Sequence, residues 1–155
     1  MAVRAKPPAK RKQAASAADA GANDLEVLHP DRPVTIAGRE VVVREYGFIE
    51  GQRLLPMLKP FLDDLKTLLV NDEPLRIGDV QTFLGCHIDA ITEAVAIAAD
   101  VDQEWMASLN QDEGQTLLMI WWSVNGPFYV RSAHGRIQAD QAVAKAVAGL
   151  TSTQP

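Results

Sequence analysis

Apolar side chains recur every three or four residues through several stretches of the chain, and this period limits the fold more than any other feature. The first stretch, residues 51–70, predicts an amphipathic helix that other elements must cover. Pro56 fits the first turn of that helix, whereas Pro60 is expected to kink it or to mark a new start. The apolar residues of this stretch are Leu54, Leu55, Met57, Leu58, Phe61, Leu62, Leu65, Leu68 and Leu69.

The next stretch predicts a second helix. Asp79 is suited to its N-cap, because a carboxylate oxygen can accept the free backbone N–H groups of the first turn. Asp89 and Glu93 fall on the solvated side of this helix. Its apolar stripe consists of Val80, Leu84, Ile88, Ile91, Val95 and Ala98.

The last strongly periodic stretch predicts two further helices. Asp102 is expected to cap a short helix, and Asn110 with Glu113 has the spacing of a capping box that opens a longer one. This longer helix is expected to stop at Asn125-Gly126-Pro127, because glycine permits a left-handed turn and proline cannot continue the hydrogen-bond ladder. Residues 128–130 are then expected to be extended, and the alanine-rich residues 138–150 to form a separate helix. The apolar residues of the longer helix are Leu117, Leu118, Ile120, Trp121, Trp122 and Val124.

A strand-like pattern precedes the helices. Val34 to Ile36 and Val41 to Val43 alternate in character around Ala37-Gly38-Arg39, which predicts a β-hairpin with Thr35 and Val42 on the opposite face. A hairpin that covers the helical core is favoured over one that pairs with another chain. The predicted fold class is therefore mostly α (α+β), with an N-terminal β-hairpin followed by a small bundle of about four helices.

The charge distribution divides the chain. The net charge is -5; residues 1–24 carry five basic and two acidic side chains, so the remainder carries -8. The sequence predicts a disordered basic tail at residues 1–24, a globular helical domain at 25–133, and an alanine-rich C-terminal helix with a frayed end at 134–155. No apolar run approaches the ~20 residues of a membrane span.

The residue types that catalysis and metal binding need are sparse. Cys86 is the single cysteine, is expected to be a buried apolar residue, and has no histidine at ligand spacing besides the adjacent His87. Phosphate-binding glycine loops and hydrolase signatures are lacking, so the sequence favours a protein that is not an enzyme and has no cofactor or metal. The acidic body repels nucleic acid, and Lys10-Arg11-Lys12 is more typical of a solubilising tail than of a nucleic-acid contact.

Residues 102–131 resemble a signature of phage tail assembly chaperones. Asp102-Gln103-Glu104-Trp105-Met106 with Leu109 is similar to an acidic-x-x-Trp-apolar-x-x-Leu motif, and Val124-Asn125-Gly126-Pro127-Phe128-Tyr129 to the Val-Asn-x-x-aromatic-aromatic element that follows it. The hairpin and residues 46–51 are similar to small tail proteins of Mu-like and related long-tailed phages. The resemblance covers most of residues 26–131 and leaves both ends of the chain without an assigned role.

The resemblance implies a protein of the host cytoplasm that binds the hydrophobic, helical tape measure protein, keeps it soluble and helps to recruit the tail tube protein. A second copy of this chain is a further candidate partner. Adjacent Trp121 and Trp122 point about 100° apart on a helix, so at least one is expected to be partly exposed. A surface that accepts amphipathic helices needs aromatic and adaptable side chains, and the predicted client-binding residues are Trp105, Met106, Trp121, Trp122, Phe128 and Tyr129.

Other functions stay open at this point. An enzyme and a nucleic-acid-binding module are both disfavoured by the residues. A structural tail component, such as a terminator or connector-like protein that stays in the virion, is the strongest alternative.

Overall fold

A computed structural model describes residues 33–71 and 73–151 of the chain, with Thr151 described by its backbone alone. The predicted basic tail, the predicted domain start near residue 25 and the predicted frayed end lie outside the described residues. The described part is mostly helical and begins with a hairpin, which confirms the predicted fold class. Its elements are β1 (Val34–Ile36), β2 (Arg39–Val41), α1 (Phe48–Leu69), α2 (Ile77–Cys86), α3 (Ile88–Ala99), α4 (Gln103–Ala107) and α5 (Gln111–Thr151).

The predicted hairpin forms, but its second strand is Arg39–Val41 rather than Val41 to Val43. Arg39 belongs to the strand, so the turn consists of Ala37 and Gly38 alone. Val34 pairs with Val41 and Ile36 with Arg39 in the antiparallel register. Ala37 and Gly38 both have positive φ, 50° and 74°, which is the backbone that a two-residue hairpin turn needs to match the strand twist. Ile36 and Val41 are buried against the helices while Thr35 and Val42 face outward.

Helix α1 is one uninterrupted helix, so the expectation that Pro60 begins a new helix is wrong. The alternative, that Pro60 kinks the helix, stays a prediction. Pro56 and Pro60 lie four residues apart on the exposed side of α1. The carbonyl groups that lose their N–H partners there can be hydrated, which makes both prolines tolerable. The opposite side of the helix packs into the core through Leu54, Leu58, Phe61, Leu62, Leu65 and Leu69.

The predicted second helix is in fact two helices, α2 and α3, that meet at His87 with a bend of 102°. Asp79 lies inside the first turn of α2, and the N-cap is Arg76, so the predicted cap is wrong. The His87 ring packs at 5.8 Å from the Phe61 ring and 5.3 Å from the Phe83 ring, centroid to centroid. No single helix in the described residues is long and apolar enough to cross a bilayer; α2 and α3 pass that measure only when counted together.

Helix α5 contradicts the predicted stop, because it continues through Asn125-Gly126-Pro127 to Thr151. A Cβ on Gly126 would lie 2.6 Å from Cδ2 of Trp122, so the absent side chain is what lets the indole lie against the helix. Pro127 is exposed, and the carbonyl that it leaves without a partner can be hydrated. Residues 128–130 are therefore helical rather than extended, and the predicted helix at 138–150 is the last part of α5.

The start of α5 agrees with the sequence. The backbone N–H of Glu113 donates to Asn110 Oδ1 at 2.9 Å, and the N–H of Asn110 donates to Glu113 Oε2 at 3.1 Å, which confirms the capping box. From there α5 packs along α1, and an ion pair between Lys66 and Asp140 joins the two helices near the end of their contact. Helix α3 closes the core with Ile91, Ala94, Val95 and Ala98.

Candidate functional site

A buried amide on α5 holds the segment between the hairpin and α1. Asn125 is 2% exposed; its Oδ1 accepts the N–H of Tyr46 at 3.3 Å and its Nδ2 donates to the carbonyl of Arg44 at 3.2 Å. On the other side of the segment, the N–H of Arg44 donates to the carbonyl of Ala98 at 3.0 Å. Residues 44–46 are thus held between α3 and α5 by three backbone hydrogen bonds, two to Asn125 and one to Ala98.

The side chains of this segment add polar contacts. Two guanidinium nitrogens of Arg44 donate to the Glu50 carboxylate at 2.6 and 2.8 Å, and this pairing raises the pKa of Arg44 and lowers that of Glu50. The Tyr46 hydroxyl donates to the carbonyl of Ala94 and accepts the indole N–H of Trp121 at 2.9 Å. Burial raises the pKa of Tyr46 well above its usual value, against the opposing effect of the Trp121 hydrogen bond.

Some of the aromatic side chains that the sequence offers for partner binding pack inside the protein, in a cluster centred on Phe61. The Phe61 ring meets the rings of Phe83, Trp122 and Tyr129 at 5.1, 6.4 and 5.7 Å between centroids. Such pairs contribute about 0.5–1.5 kcal/mol each beyond the area that they bury. Tyr129 is buried, which raises its pKa to about 12.

The structure separates the predicted client-binding residues into two groups. Trp121 and Tyr129 are core residues with internal partners. Trp122 is half-buried, which confirms that one of the adjacent tryptophans reaches the surface. Trp105, Met106, Trp122 and Phe128 remain accessible to a partner in whole or in part.

Helix α4 carries Trp105 and Met106, both half-buried. The guanidinium carbon of Arg39 lies 5.2 Å from the centre of the Trp105 ring, a cation–π contact that joins β2 to α4. Met106 faces a groove between α3, α4 and α5 with a volume of about 380 Å³. Trp105 therefore has a structural contact of its own, whereas Met106 lines an open surface.

Phe128 lies beside a second opening, which we call the Phe128 recess. Its volume is about 230 Å³, and it lies between the start of α1, the segment before it and the middle of α5. Phe48 is 76% exposed and Phe128 is 47% exposed. The recess is lined by Glu45, Tyr46, Gly47, Phe48, Gly51, Gln52, Leu55, Asn125, Phe128 and Tyr129.

The side chains that could bind a metal ion do not form a cluster in the described part of the chain. Within the described residues, no three His, Cys, Asp or Glu side chains lie close enough to hold a metal ion. Cys86 is exposed, so its predicted burial is wrong: it ends α2 at the bend, away from the packed face. His87 Nε2 lies 3.0 Å from Asp64 Oδ2 without the alignment of a hydrogen bond. Asp89 and Glu93 are exposed on α3, as predicted.

The far end of α5 is a third apolar surface. All residues from 138 to 150 are exposed, including Val143 at 64% and Leu150 at 78%. These side chains share the apolar side of the helix that the sequence predicts. Exposed apolar side chains that share one side of a helix form a surface that can pack against another protein.

Comparison with known proteins finds one family. The model of a family described as "Family of unknown function (DUF6631)" matches residues 24–155, which includes every described element. No curated protein and no solved structure matches the chain.

Proposed function

The chain belongs to the family of unknown function DUF6631, and we propose that it is a phage tail assembly chaperone. In this role it binds the hydrophobic, helical tape measure protein in the host cytoplasm, keeps it soluble and helps the tail tube to assemble. The role involves no catalytic step and no cofactor. The tail tube protein is the second partner of the proposal.

The observation that carries this proposal is the Phe128 recess. Large aromatic side chains are rarely left in water as neighbours unless the surface binds something. Phe48 and Phe128 line the same opening and are the two most exposed phenylalanines of the described residues. A groove with aromatic walls accepts one face of an amphipathic helix, which is the main element of the proposed client.

The buried aromatic residues support this surface from below. Phe128 and Tyr129 meet edge to face at 5.4 Å between ring centroids, and Tyr129 in turn packs on Phe61. The wall of the recess is therefore attached to the core rather than to a loop, which reduces the side-chain entropy lost on binding. In this arrangement Phe128 contacts the client, and Trp121 and Tyr129 position it.

The test is co-expression of the chain with the tape measure protein of the same phage, followed by measurement of the soluble fraction of the client. The double variant Phe48→Ser/Phe128→Ser removes the aromatic walls of the recess. Val143→Ser is the matched control, since Val143 is also an exposed apolar residue but lies near the far end of α5.

We expect a soluble client with the natural chain and with Val143→Ser, and an insoluble client with the double variant. Equal insolubility of the client with and without the natural chain would overturn the proposed function. If the double variant kept the client fully soluble at the same amount of folded protein, the Phe128 recess would not be the client-binding surface.

A structural tail component is the second candidate, and the exposed end of α5 favours it. Val143 and Leu150 could pack between subunits of an assembled tail. Mass spectrometry of purified virions separates the two candidates, because a chaperone leaves the finished particle and a structural subunit stays. Recovery of the chain at a fixed number of copies per virion would support the structural role.

A further inference from the structure

The groove between α3, α4 and α5, which we call the acidic groove, shares no lining residue with the Phe128 recess. Its α3 wall presents Ile88 and Thr92, its α4 wall presents Met106, and its α5 wall presents Gly114, Gln115 and Leu118. Leu118 follows Gly114 by four residues and Gln115 by three, so both lie beside Leu118 on one side of α5. This wall combines apolar surface with one amide and runs along a helix, which suits an elongated occupant.

Charge distinguishes this groove from the rest of the surface. The sequence contains no lysine or arginine from residue 77 to residue 130, while it contains eight aspartates and glutamates there. Asp89, Glu93 and Asp112 are exposed, and each directly follows or precedes a residue that lines the groove. Neighbouring side chains on a helix point about 100° apart, so these carboxylates flank the lining of the groove rather than form part of it. From there they attract a basic partner.

Gly114 leaves the groove open at its centre. A Cβ at this position would meet no atom within 4 Å, so internal packing does not require glycine. Glycine inside a helix costs about 1 kcal/mol relative to alanine. The space above it allows the backbone of a partner to come close. Beside it, the Gln115 amide nitrogen has no hydrogen-bond partner among the described residues, and the amide can turn outward to donate to an occupant.

We propose that the acidic groove binds an amphipathic helix of another protein, whose apolar stripe is flanked by lysine or arginine. The apolar stripe packs on Met106 and Leu118, and the basic flanks pair with Asp89, Glu93 and Asp112. The helix crosses α5 at Gly114. This proposal does not depend on the identity of the client at the Phe128 recess.

The test uses two synthetic amphipathic helices of about 18 residues, or five turns, titrated into the full chain. Both peptides have leucines spaced alternately by three and four residues, which places them on one side of the helix. One peptide has lysine on both flanks of that side and the other has glutamate. We expect the lysine peptide to bind at least about tenfold more tightly than the glutamate peptide, a difference that shrinks with added salt. Equal affinity of the two peptides would overturn the charge argument.

Two variants locate the binding. Gly114→Leu fills the groove without an internal clash, and Gly78→Leu is its control, since a Cβ on Gly78 of α2 also meets nothing within 4 Å. We expect about a tenfold loss of lysine-peptide affinity for the first and none for the second. Unchanged affinity in Gly114→Leu would overturn the proposal, as would equal losses in both variants.

Charge variants separate this groove from a general attraction of the acidic surface. Asp89→Asn/Glu93→Gln removes two exposed carboxylates that each follow a lining residue of α3. Glu73→Gln/Asp79→Asn removes two exposed carboxylates just before and at the start of α2, which contributes no residue to the lining. We expect only the first pair to weaken binding and flatten its salt dependence; equal effects would place the peptide elsewhere. The Gly114→Leu and charge comparisons are repeated in the Phe48→Ser/Phe128→Ser background, in which the Phe128 recess no longer has aromatic walls for a helix. We expect the same losses of affinity there, so the failure of either proposal can be recognised separately.

Discussion

The buried amide of Asn125 offers the sharpest test of how the chain is held together. Asn125→Leu keeps the branched arrangement of heavy atoms, with larger methyl groups at its ends, but removes both hydrogen bonds, so the N–H of Tyr46 and the carbonyl of Arg44 lose their partner. Ser123→Ala is the control on the same helix, because Ser123 is exposed and its hydroxyl donates only to the carbonyl of Ile120.

The size of the effect follows from the two unpaired groups. Each buried backbone group left without a partner costs about 1–3 kcal/mol. The bonds, at 3.2 and 3.3 Å, are at the long end of the usual range, so we expect a total near 3 kcal/mol rather than at the upper limit. For a domain of this size that corresponds to a fall in Tm of roughly 10 °C.

Chemical denaturation monitored by circular dichroism measures this difference directly. We expect Asn125→Leu to lower the free energy of unfolding by about 3 kcal/mol, and Ser123→Ala to change it by less than about 0.5 kcal/mol. Only a protonated carboxyl can both accept the N–H of Tyr46 and donate to the carbonyl of Arg44. The stability of Asn125→Asp should therefore exceed that of Asn125→Leu most at acidic pH. If Asn125→Leu were as stable as the natural chain, the amide would not hold the segment.

Three further predictions follow from the same contacts. Gly114→Ala should stabilise the chain by about 0.5–1 kcal/mol through helix propensity. Gly126→Ala should destabilise it by about 1 kcal/mol or more, because the new Cβ overlaps the indole ring of Trp122. Thermal melts that shift in the same direction for both variants would contradict this. Tyr46 and Tyr129 have raised pKa values, so the unfolded chain ionises first and stability should fall as pH rises above about 10; phenolate absorbance that increases at pH 10 without unfolding would argue against their burial. Asn110→Ala should cost about 1 kcal/mol through loss of the capping box, and an unchanged denaturation midpoint would mean that the cap contributes nothing.

Local signals in the sequence were sufficient for the hairpin and for the start of α5. Two features depend only on residues a few positions apart: the turn at Ala37-Gly38 and the capping box of Asn110 with Glu113. Such features can be predicted without the tertiary structure. The bend at His87 is different, because the apolar stripe keeps its period across it. It arises where the His87 ring packs among aromatic side chains from α1 and α2.

The course of α5 was mispredicted because Gly126-Pro127 is a strong stop signal that tertiary packing overrides. One pattern does run through it: a row of buried residues at every fourth position, formed by Leu117, Trp121, Asn125, Tyr129, Ala133 and Ile137. Following this row past the proline would have predicted both the continuous helix and a buried amide at Asn125. The polar residue in an apolar row was the available sign of the contact with residues 44–46.

The binding surfaces could be predicted only in part. The sequence identifies aromatic residues but does not tell which of them fill the core: Tyr129 packs on Phe61, and Trp121 is fully buried. Phe48 was missed because it begins α1 on the exposed side, outside the apolar stripe. Its relation to Phe128 depends on how α1 and α5 pack, which has no local signal.

The most direct test of the proposed function is a photo-crosslink from the Phe128 recess during phage growth. A photoreactive phenylalanine analogue is placed at Phe128, with the exposed position Glu73 as control, and adducts are identified by mass spectrometry. We predict an adduct with the tape measure protein from position 128, present before tail assembly ends and absent from position 73. Absence of that adduct in infected cells that contain both proteins would contradict the assignment of the recess as the client-binding surface.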